Sequence, residues 1–288
     1  MAISKHSHDG ISGTEATSDT TQQANERATV SASEVLAGNA PVTTDDLPVG
    51  GGYDVPTMLY TAARISPGEW LDGENILISA GTAWNNPPEG DGFTISVPEA
   101  DTLFIDSGGY QSVKYWGGDY PYTPKELFDW AESVDADYVA GMDTLCLRTE
   151  TLADMTDRSE DEIATIPERI ERTIDKQIEQ YEVYKRHDYS FDLVPVVQGF
   201  TPEDYQYCAH RLKQAGLPLA FVTIGSTGKR DQYNQEKTAR ILEACHEELP
   251  RSDFHLLGAG KAHWENPRLW GLFDTCDTHG WAATMPEG

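Results

Sequence analysis

Short apolar runs alternate with helix-type patterns along most of this chain. The runs are rich in β-branched and aromatic residues and are bounded by Gly, Pro, Asp or Ser, which is typical of short buried strands. They predict strands at Ile76–Ser79, Thr102–Asp106, Tyr138–Met142, Leu193–Val197, Ala220–Ile224 and His255–Leu257, with a weaker candidate near Leu272–Cys276.

The segments between the predicted strands carry helical periodicity. One predicted helix starts at Thr201-Pro202, an N-cap residue followed by proline at the first helical position, and ends at Gly216. The clearest helix has an apolar face with spacings of three and four residues. That face comprises Ile163, Ile166, Ile170, Ile174, Ile178 and Tyr181.

Alternating strands and helices predict a parallel sheet, either a barrel or a doubly wound sheet. No G-x-G-x-x-G follows the first strand, which counts against a dinucleotide-binding sheet. The strands share polar or glycine-rich ends, and in a barrel these ends meet on one face. We therefore predict an α/β fold of the (β/α)8 TIM barrel type. The strand ends comprise Asp106 to Gly109, Asp143, Gln198-Gly199, Gly225-Ser226, Gly258 to Gly260 and Asp277.

The N-terminal region differs in composition from the rest. Residues 1–47 are rich in Ser, Thr, Ala and acidic residues and lack apolar periodicity, which predicts a disordered or loosely attached arm. A turn-rich stretch with glycines at 50–52 then leads into a predicted barrel domain of residues 48–288.

The chain is strongly acidic, with 48 Asp and Glu against 21 Lys and Arg and a formal net charge of −27. A carboxylate-rich surface suits molar salt, where the Debye length falls to about 3 Å, so we expect a halophilic archaeon or its virus as the source. Without a long apolar run or a secretory leader, we expect a cytoplasmic protein with no membrane contact.

The cysteines lack C-x-x-C spacing, so buried thiols are expected rather than disulfides or zinc ligands. We expect neither a metal nor a cofactor. The four are Cys146, Cys208, Cys245 and Cys276.

Asp106, Asp143 and Asp277 each end a different predicted strand. A single aspartate in such a place is often only the N-cap of the next helix. Three of them, with Gln198 and glycine-rich turns on the intervening strands, favour a site at the carboxyl end of the barrel.

Several short motifs follow one another along the chain. Asp106-Ser-Gly-Gly-Tyr-Gln111 resembles the D-S-G-G-[FY]-Q motif of the tRNA-guanine transglycosylases. The resemblance extends from about residue 75 to residue 280. The chain is most similar to the branch of that family that modifies DNA. The further motifs are Ala136-Asp-Tyr-Val-Ala-Gly-Met-Asp143, Val196-Val-Gln-Gly199, Ile224-Gly225, His255-Leu-Leu-Gly-Ala-Gly-Lys261 and Phe273-Asp-Thr-Cys-Asp277.

The resemblance implies roles for two aspartates. Asp277 resembles the nucleophile that attacks C1′ of the nucleotide and forms a covalent glycosyl-aspartate. Asp274 also follows a phenylalanine and competes for this role, but Asp277 matches the family position when counted from the G-A-G turn. Asp106 resembles the general acid/base that manages protons on the departing and incoming bases.

The resemblance also implies a set of residues that read the base. Asp143 would accept two hydrogen bonds from the guanine edge, while Gln198 and the Gly225 N–H would donate to its carbonyl. Tyr110 and Leu257 would sandwich the ring, although core packing is an alternative for Tyr110. Ser107, Gly199 and Gly258 complete the predicted base-binding set.

The chain departs from the family pattern after Asp277. It lacks the C-x-C-x-x-C zinc motif and is C-terminally short relative to the family, so the N-terminal arm, an element from residues 48–75 or a partner chain would have to cover that side. Such a compact version resembles enzymes that insert preQ0- or preQ1-type 7-deazaguanines into DNA. Alternatives are exchange in tRNA, a non-catalytic barrel subunit and an unrelated glycosidase. The sequence leaves open whether the protein forms a homodimer or binds a partner protein.

A nucleic acid would need basic and aromatic contacts around a flipped base. For each candidate side chain, the alternative is a solvated surface charge or an aromatic ring packed in the core. The predicted phosphate contacts are Lys114, Arg148, Lys229, Arg230 and Lys261, and the stacking candidates are Trp116, Trp264, Trp270 and Trp281.

Overall fold

The computed structural model describes residues 57–61, 73–85, 92–94, 97, 99–156, 158–227 and 235–278. The arm predicted at residues 1–47 lies outside them. In chain order the elements are β1 (Thr57–Thr61), β2 (Asn75–Ser79), α1 (Ala80–Ala83), β3 (Trp84–Asn85), β4 (Gly92–Phe93), β5 (Thr102–Asp106), α2 (Gly109–Trp116), α3 (Pro124–Ser133), β6 (Tyr138–Ala140), α4 (Thr149–Thr156), α5 (Ile166–Tyr184), β7 (Asp192–Val194), β8 (Val196–Val197), α6 (Pro202–Gln214), β9 (Phe221–Ile224), α7 (Gln235–Glu248), β10 (Asp253–Leu256), α8 (Gly260–Trp264) and β11 (Thr275–Thr278).

Nine parallel strand segments form a nearly closed barrel in the order β7-β6-β5-β2-β1-β11-β10-β9-β8. β7 pairs with β6 and β8 pairs with β9, and Pro195 alone separates β7 from β8. Because proline has no N–H for a ladder, this one predicted strand is interrupted at its centre. Counted as one, the two segments complete an eight-stranded barrel, which confirms the predicted (β/α)8 fold.

The eighth strand is one that the apolar pattern did not predict. β1 lies between β11 and β2, with Leu59 opposite Asp277 and Tyr60 opposite Ile76. Its sequence, TMLYT, is short and follows a turn-rich stretch, so only its two sheet partners distinguish it from a loop. An element from residues 48–75 therefore closes the sheet beside the last strand.

Two predicted boundaries were wrong in ways that affect the site. β6 ends at Ala140 rather than at Met142, and β11 spans Thr275–Thr278 rather than Leu272–Cys276. Asp277 therefore lies within the last strand. The long helix α5 begins at Ile166, so Ile163 precedes it, while Ile170 and Ile174 are buried as predicted.

Side chains inside the barrel form an apolar floor beneath its carboxyl end. The floor includes Leu59, Leu77, Val194 and Val196, together with a cluster of aromatic rings. The rings of Phe104, Tyr138 and Phe221 lie 5.3 to 6.1 Å apart. The barrel interior is therefore a packed core rather than a pore, as is usual for this architecture.

The residues that alternate with this floor point outward and pack against the helices in two larger clusters. All four cysteines are buried and free, which confirms the sequence prediction. Among the helices in the described ranges, none combines the length and the apolar character needed to cross a bilayer.

Candidate active site

The turn after β5 holds the first carboxylate. Gly108 has φ of +87°, a left-handed conformation that favours glycine, and a Cβ there would lie 2.6 Å from the backbone nitrogen of Gly81. Gly109 then begins α2. The two glycines let the chain turn sharply between strand and helix, so that Asp106 stands at the barrel's carboxyl end.

The pKa of Asp106 is raised to about 7, mainly by burial; the negative charge of nearby Asp143 contributes in the same direction, and that of Asp277 contributes less. Hydrogen bonds from Ser79 and from the Gly108 N–H oppose this shift without cancelling it. A carboxyl group with this pKa exists in both protonation states near neutral pH, as a general acid/base requires.

Asp106 belongs to a short chain of polar side chains. The Ser79 hydroxyl donates to Oε1 of Gln111 at 3.2 Å, and Nε2 of Gln111 donates to Oγ1 of Thr82 at 2.9 Å. Ser79 has a single hydrogen, which it can donate to ionised Asp106; when Asp106 is protonated, Asp106 can donate to Ser79 while Ser79 donates to Gln111. The last residue of the D-S-G-G-Y-Q motif thus supports its first.

The second carboxylate lies on a buried segment without regular structure. Residues 141–147 are all buried after β6 ends. Their backbone N–H groups therefore need partners, since an unpaired buried N–H is costly. Three of these partners are side chains from helix α5 and from the turn after β9: Gln180 accepts from Met142 at 2.7 Å, Thr173 from Thr144 at 2.9 Å and Ser226 from Cys146 at 3.0 Å.

The Asp143 carboxylate is held on both oxygens. Nε2 of Gln198 donates to Oδ2, and the Tyr120 hydroxyl lies 3.1 Å from Oδ1 while also accepting from the Asp143 N–H at 3.0 Å. Burial raises the pKa of Asp143, and the hydrogen bonds from Gln198 and Tyr120 oppose that rise. A Cβ on Gly109 would lie 2.1 Å from Oδ1, so only glycine leaves room for this carboxylate.

The third carboxylate, Asp277, is only 3% exposed. Its Oδ1 accepts from the Gly258 N–H and lies 3.4 Å from Nε2 of His255, and its Oδ2 accepts from the Thr61 hydroxyl at 2.9 Å. Burial alone would raise the pKa of Asp277, but the donors His255, Gly258 and Thr61 together hold it below the usual value. Near neutral pH, Asp277 is therefore ionised whereas Asp106 is partly protonated.

Asp274, the competing nucleophile, lies at the other end of the barrel. It precedes β11, and its Oδ2 accepts from the Phe254 N–H at 2.8 Å near the start of β10. Parallel strands present their amino ends on the face opposite to their carboxyl ends. Asp274 therefore does not share the site of Asp106 and Asp143.

Three of the predicted base-binding groups have other partners in this structure. The Gly225 N–H donates to the Val197 carbonyl at 3.1 Å within the sheet, so it does not point at a base. Ser107 is fully buried, and its hydroxyl donates to the Gly141 carbonyl at 2.9 Å. Gly258 serves Asp277 through its N–H.

The remaining predicted base-binding residues line the surroundings of the site. Tyr110 is half-buried against Val113, Leu145, Leu147 and Leu152, which is the packing role left open for it. Leu257 is half-buried at the upper edge of the barrel interior. Gly199 packs closely on the start of α6, where a Cβ would lie 2.6 Å from the Tyr205 nitrogen.

The predicted nucleic-acid contacts separate into exposed and packed residues. Lys114 and Arg148 are exposed, with the Lys114 ammonium 5.0 Å from the Tyr115 ring centre. Trp116 packs in an aromatic cluster, and Trp270 donates to the Trp264 carbonyl at 2.7 Å, so these rings are largely structural. Lys229, Arg230, Trp281 and the side chain of Lys261 lie outside the described residues.

Several site residues were missed from the sequence. Thr61 and Ser79 end strands β1 and β2, and a polar residue at a strand's carboxyl end was the available signal for both. Tyr120 lies in a loop, where the sequence offered no signal. His255 is fully buried within β10; the sequence marked it as the first residue of a strand and of a motif but gave it no role in the site.

Within the part of the chain that the structure describes, no group of three His, Cys, Asp or Glu side chains could hold a metal ion. Instead, the three carboxylates of the site face hydroxyl, amide and imidazole groups. Comparison with protein-family models finds no matching family, and comparison with curated proteins finds no match.

Proposed function

We propose that this chain is a base-exchange transglycosylase that replaces guanine in DNA with a 7-deazaguanine through a covalent intermediate on Asp277. The observation that carries the proposal is the contrast between two aspartates at one barrel end. The pKa of Asp106 is raised to about 7 and that of Asp277 is lowered. Groups whose surroundings separate their pKa values are the natural acid and nucleophile of one reaction.

The first half of the reaction breaks the bond between C1′ and N9 of guanine. Oδ2 of Asp277 attacks C1′, since Thr61 occupies only one of its two lone-pair positions among the described residues. The electron pair of the broken bond goes to the base, and protonated Asp106 supplies the proton that makes guanine a neutral leaving group. Retaining glycosidases use the same pair of roles.

The second half reverses these steps with a different base. The Asp106 carboxylate accepts the N9 proton of the incoming 7-deazaguanine, and N9 attacks C1′. The C1′–Oδ2 bond breaks, and its electron pair returns to Asp277. The exchange is therefore balanced without a cofactor, because the second half returns the proton to Asp106 and frees the carboxylate of Asp277.

Asp143 suits the recognition of guanine and of 7-deazaguanine alike. The two bases share the edge that carries N1–H and the exocyclic amine. Tyr120 and Gln198 hold the carboxylate in place, and each of its oxygens has a second lone pair for the base. Gln198 has its amide nitrogen beside the same carboxylate, so its second N–H is the donor we assign to the base carbonyl.

The target guanine must leave the base stack to reach this site. Flipping it out costs a few kcal/mol, and less where the strand is already unpaired. The choice of DNA as the polymer comes from the sequence resemblance alone, so the experiment offers DNA and tRNA in parallel.

The test is incorporation of a labelled preQ1-type base at roughly 1 M salt, where screening is strongest. We expect label in duplex DNA, loss of that label in Asp277→Asn, and retention in the matched surface variant Asp154→Asn. Label in tRNA alone would assign the activity to tRNA. No label in either polymer, with no covalent adduct, would contradict the proposal and leave the non-catalytic subunit as the better account.

A further inference from the structure

His255 is a buried imidazole that the proposed reaction does not yet use. It lies on β10 in the barrel interior and is 0% exposed. The Phe104 ring contacts it edge-on, with ring centres 4.9 Å apart. Its two ring nitrogens face two different side chains of strand β11. Nδ1 lies 2.8 Å from Oγ1 of Thr275, and Nε2 lies 3.4 Å from Oδ1 of Asp277.

The hydrogen positions follow from what faces each nitrogen. A bare Nε2 would set its lone pair against a carboxylate oxygen, which is repulsive, so Nε2 must carry a hydrogen. Nδ1 can then accept from the Thr275 hydroxyl. Nε2 has no other hydrogen-bond partner among the described residues. At 3.4 Å the contact is long for a hydrogen bond at rest, and catalytic hydrogen bonds often tighten only during the reaction.

We propose that His255 is a positioning residue that directs its Nε2–H at Oδ1 of Asp277 and thereby makes this carboxylate a good leaving group in the second half of the exchange. The inference rests on the proposed function. When N9 of the incoming base displaces Oδ2 from C1′, negative charge returns to the carboxylate, and the Nε2–H and the Gly258 N–H receive it. Neither donor transfers its proton, so the step remains balanced.

The location of His255 makes it suited to this role. Charge on Oδ1 is far from water, since both Asp277 and His255 are buried, and a hydrogen bond to a charged group is stronger in such surroundings. The Thr275 hydroxyl holds the ring from the far side, 2.8 Å from Nδ1. Thr61 binds the other oxygen, so it cannot replace His255 at Oδ1.

Removing the donor should change the balance between the two half-reactions. In His255→Leu the free carboxylate loses a stabilising bond that the covalent ester does not need. We expect the fraction of enzyme trapped as the glycosyl-aspartate during exchange to rise about tenfold, while release by the incoming base slows by a similar factor. His255→Gln, whose amide nitrogen reaches the place of Nε2, should restore most of the wild-type rate of release.

The experiment measures the adduct by mass spectrometry after rapid denaturation, with His246→Gln as the matched control. His246 is a packed histidine on α7 whose Nε2 contacts the Leu272 carbonyl, so its loss should affect stability and leave the adduct fraction unchanged. Two-bond ¹H–¹⁵N spectra of the resting protein provide a second measurement. They should show the Nε2–H form of His255.

The outcomes separate the two proposals. Normal exchange in the wild type with an unchanged adduct fraction in both His255 variants would overturn the role of His255 alone. A spectrum showing a bare Nε2 would also overturn it, even if His255→Leu fails to fold. No exchange in the wild type would overturn the proposed function and this inference together.

Discussion

At the residue scale, the three carboxylates differ in what surrounds them rather than in their chemistry. Asp106 has few donors and two charged neighbours, whereas Asp277 has three donors. One aspartate is therefore held partly protonated and the other ionised. Such an arrangement lowers folding stability, a cost that is common at active sites.

The raised pKa of Asp106 predicts how the stability of Asp106→Asn relative to the wild type depends on pH. The folded protein keeps a proton on Asp106 up to about pH 7, whereas the unfolded chain loses it near the ordinary value of 3.8. The wild type therefore loses stability as the pH rises between these values. At about pH 8 the variant should be more stable by on the order of 4 kcal/mol, and the difference should vanish below about pH 4.

Urea denaturation of the two proteins at both pH values measures this difference. Asp154→Asn, which changes an exposed carboxyl group, is the control for the loss of one charge. Equal stability of Asp106→Asn and the wild type at high pH would mean that the carboxyl group is not held in its protonated form.

A glycine substitution tests the position of Asp143. In Gly109→Ala the new methyl group would collide with Oδ1 of Asp143, so the carboxylate must move. Because misplacement by about 1 Å can cost on the order of 100-fold in rate, we expect base exchange to fall by at least that factor. Exchange kinetics measure it directly.

Gly216→Ala is the matched control for this substitution. Gly216 has φ of +76° and open space around its Cβ position, so alanine there should cost about 1 kcal/mol of stability through backbone strain. We expect its exchange rate to stay at the wild-type level. Equal losses of activity in the two variants would indicate a general effect of instability.

At the scale of elements, helix α5 has two functions. Its apolar residues pack on the barrel, but Thr173, Gln177 and Gln180 are buried polar residues that bind backbone groups. Gln177 accepts from the Val196 N–H at 2.7 Å and donates to the Val196 carbonyl at 2.6 Å. The helix thus satisfies the backbone where Pro195 interrupts the strand.

Gln177→Leu should therefore be strongly destabilising. The substitution leaves the N–H and the carbonyl of Val196 buried without partners, at about 1–3 kcal/mol for each group. We expect the free energy of unfolding to fall by roughly 2 to 5 kcal/mol in urea denaturation. Gln206→Leu removes only a 3.3 Å surface contact to Glu247 and should change stability by less than about 0.5 kcal/mol. Similar effects of the two changes would refute the role of Gln177.

At the scale of the whole molecule, charge is the dominant feature. A net charge of −27 on 288 residues means strong self-repulsion in dilute buffer. Added salt screens it, since the Debye length falls from about 10 Å at 0.1 M to about 3 Å at 1 M. The same screening would allow an acidic protein to approach a nucleic acid.

We expect the thermal midpoint to rise by on the order of 10 °C between about 0.1 M and 1 M potassium chloride, because several kcal/mol of repulsion are screened. Sucrose at matched osmolality is the control, since it acts without screening charge. A midpoint that is insensitive to the salt would argue against adaptation to molar salt.

The amino-acid sequence was enough to predict the alternation of strands and helices, the barrel architecture and the strand ends at Asp106 and Gln198. Periodicity and glycine-rich turns are local properties, so they can be recognised without knowing what packs against them. For the same reason the buried cysteines and the capped start of α6 at Thr201 followed from the chain alone.

Folding was needed to reveal that β1 closes the barrel and that Tyr120 and His255 contact the aspartates. Each depends on contacts between residues far apart in the chain, such as Thr61 with Asp277. A carboxylate's pKa likewise depends on the burial and donors that folding creates. The sequence supplied the chemical groups, and packing assigned each its state.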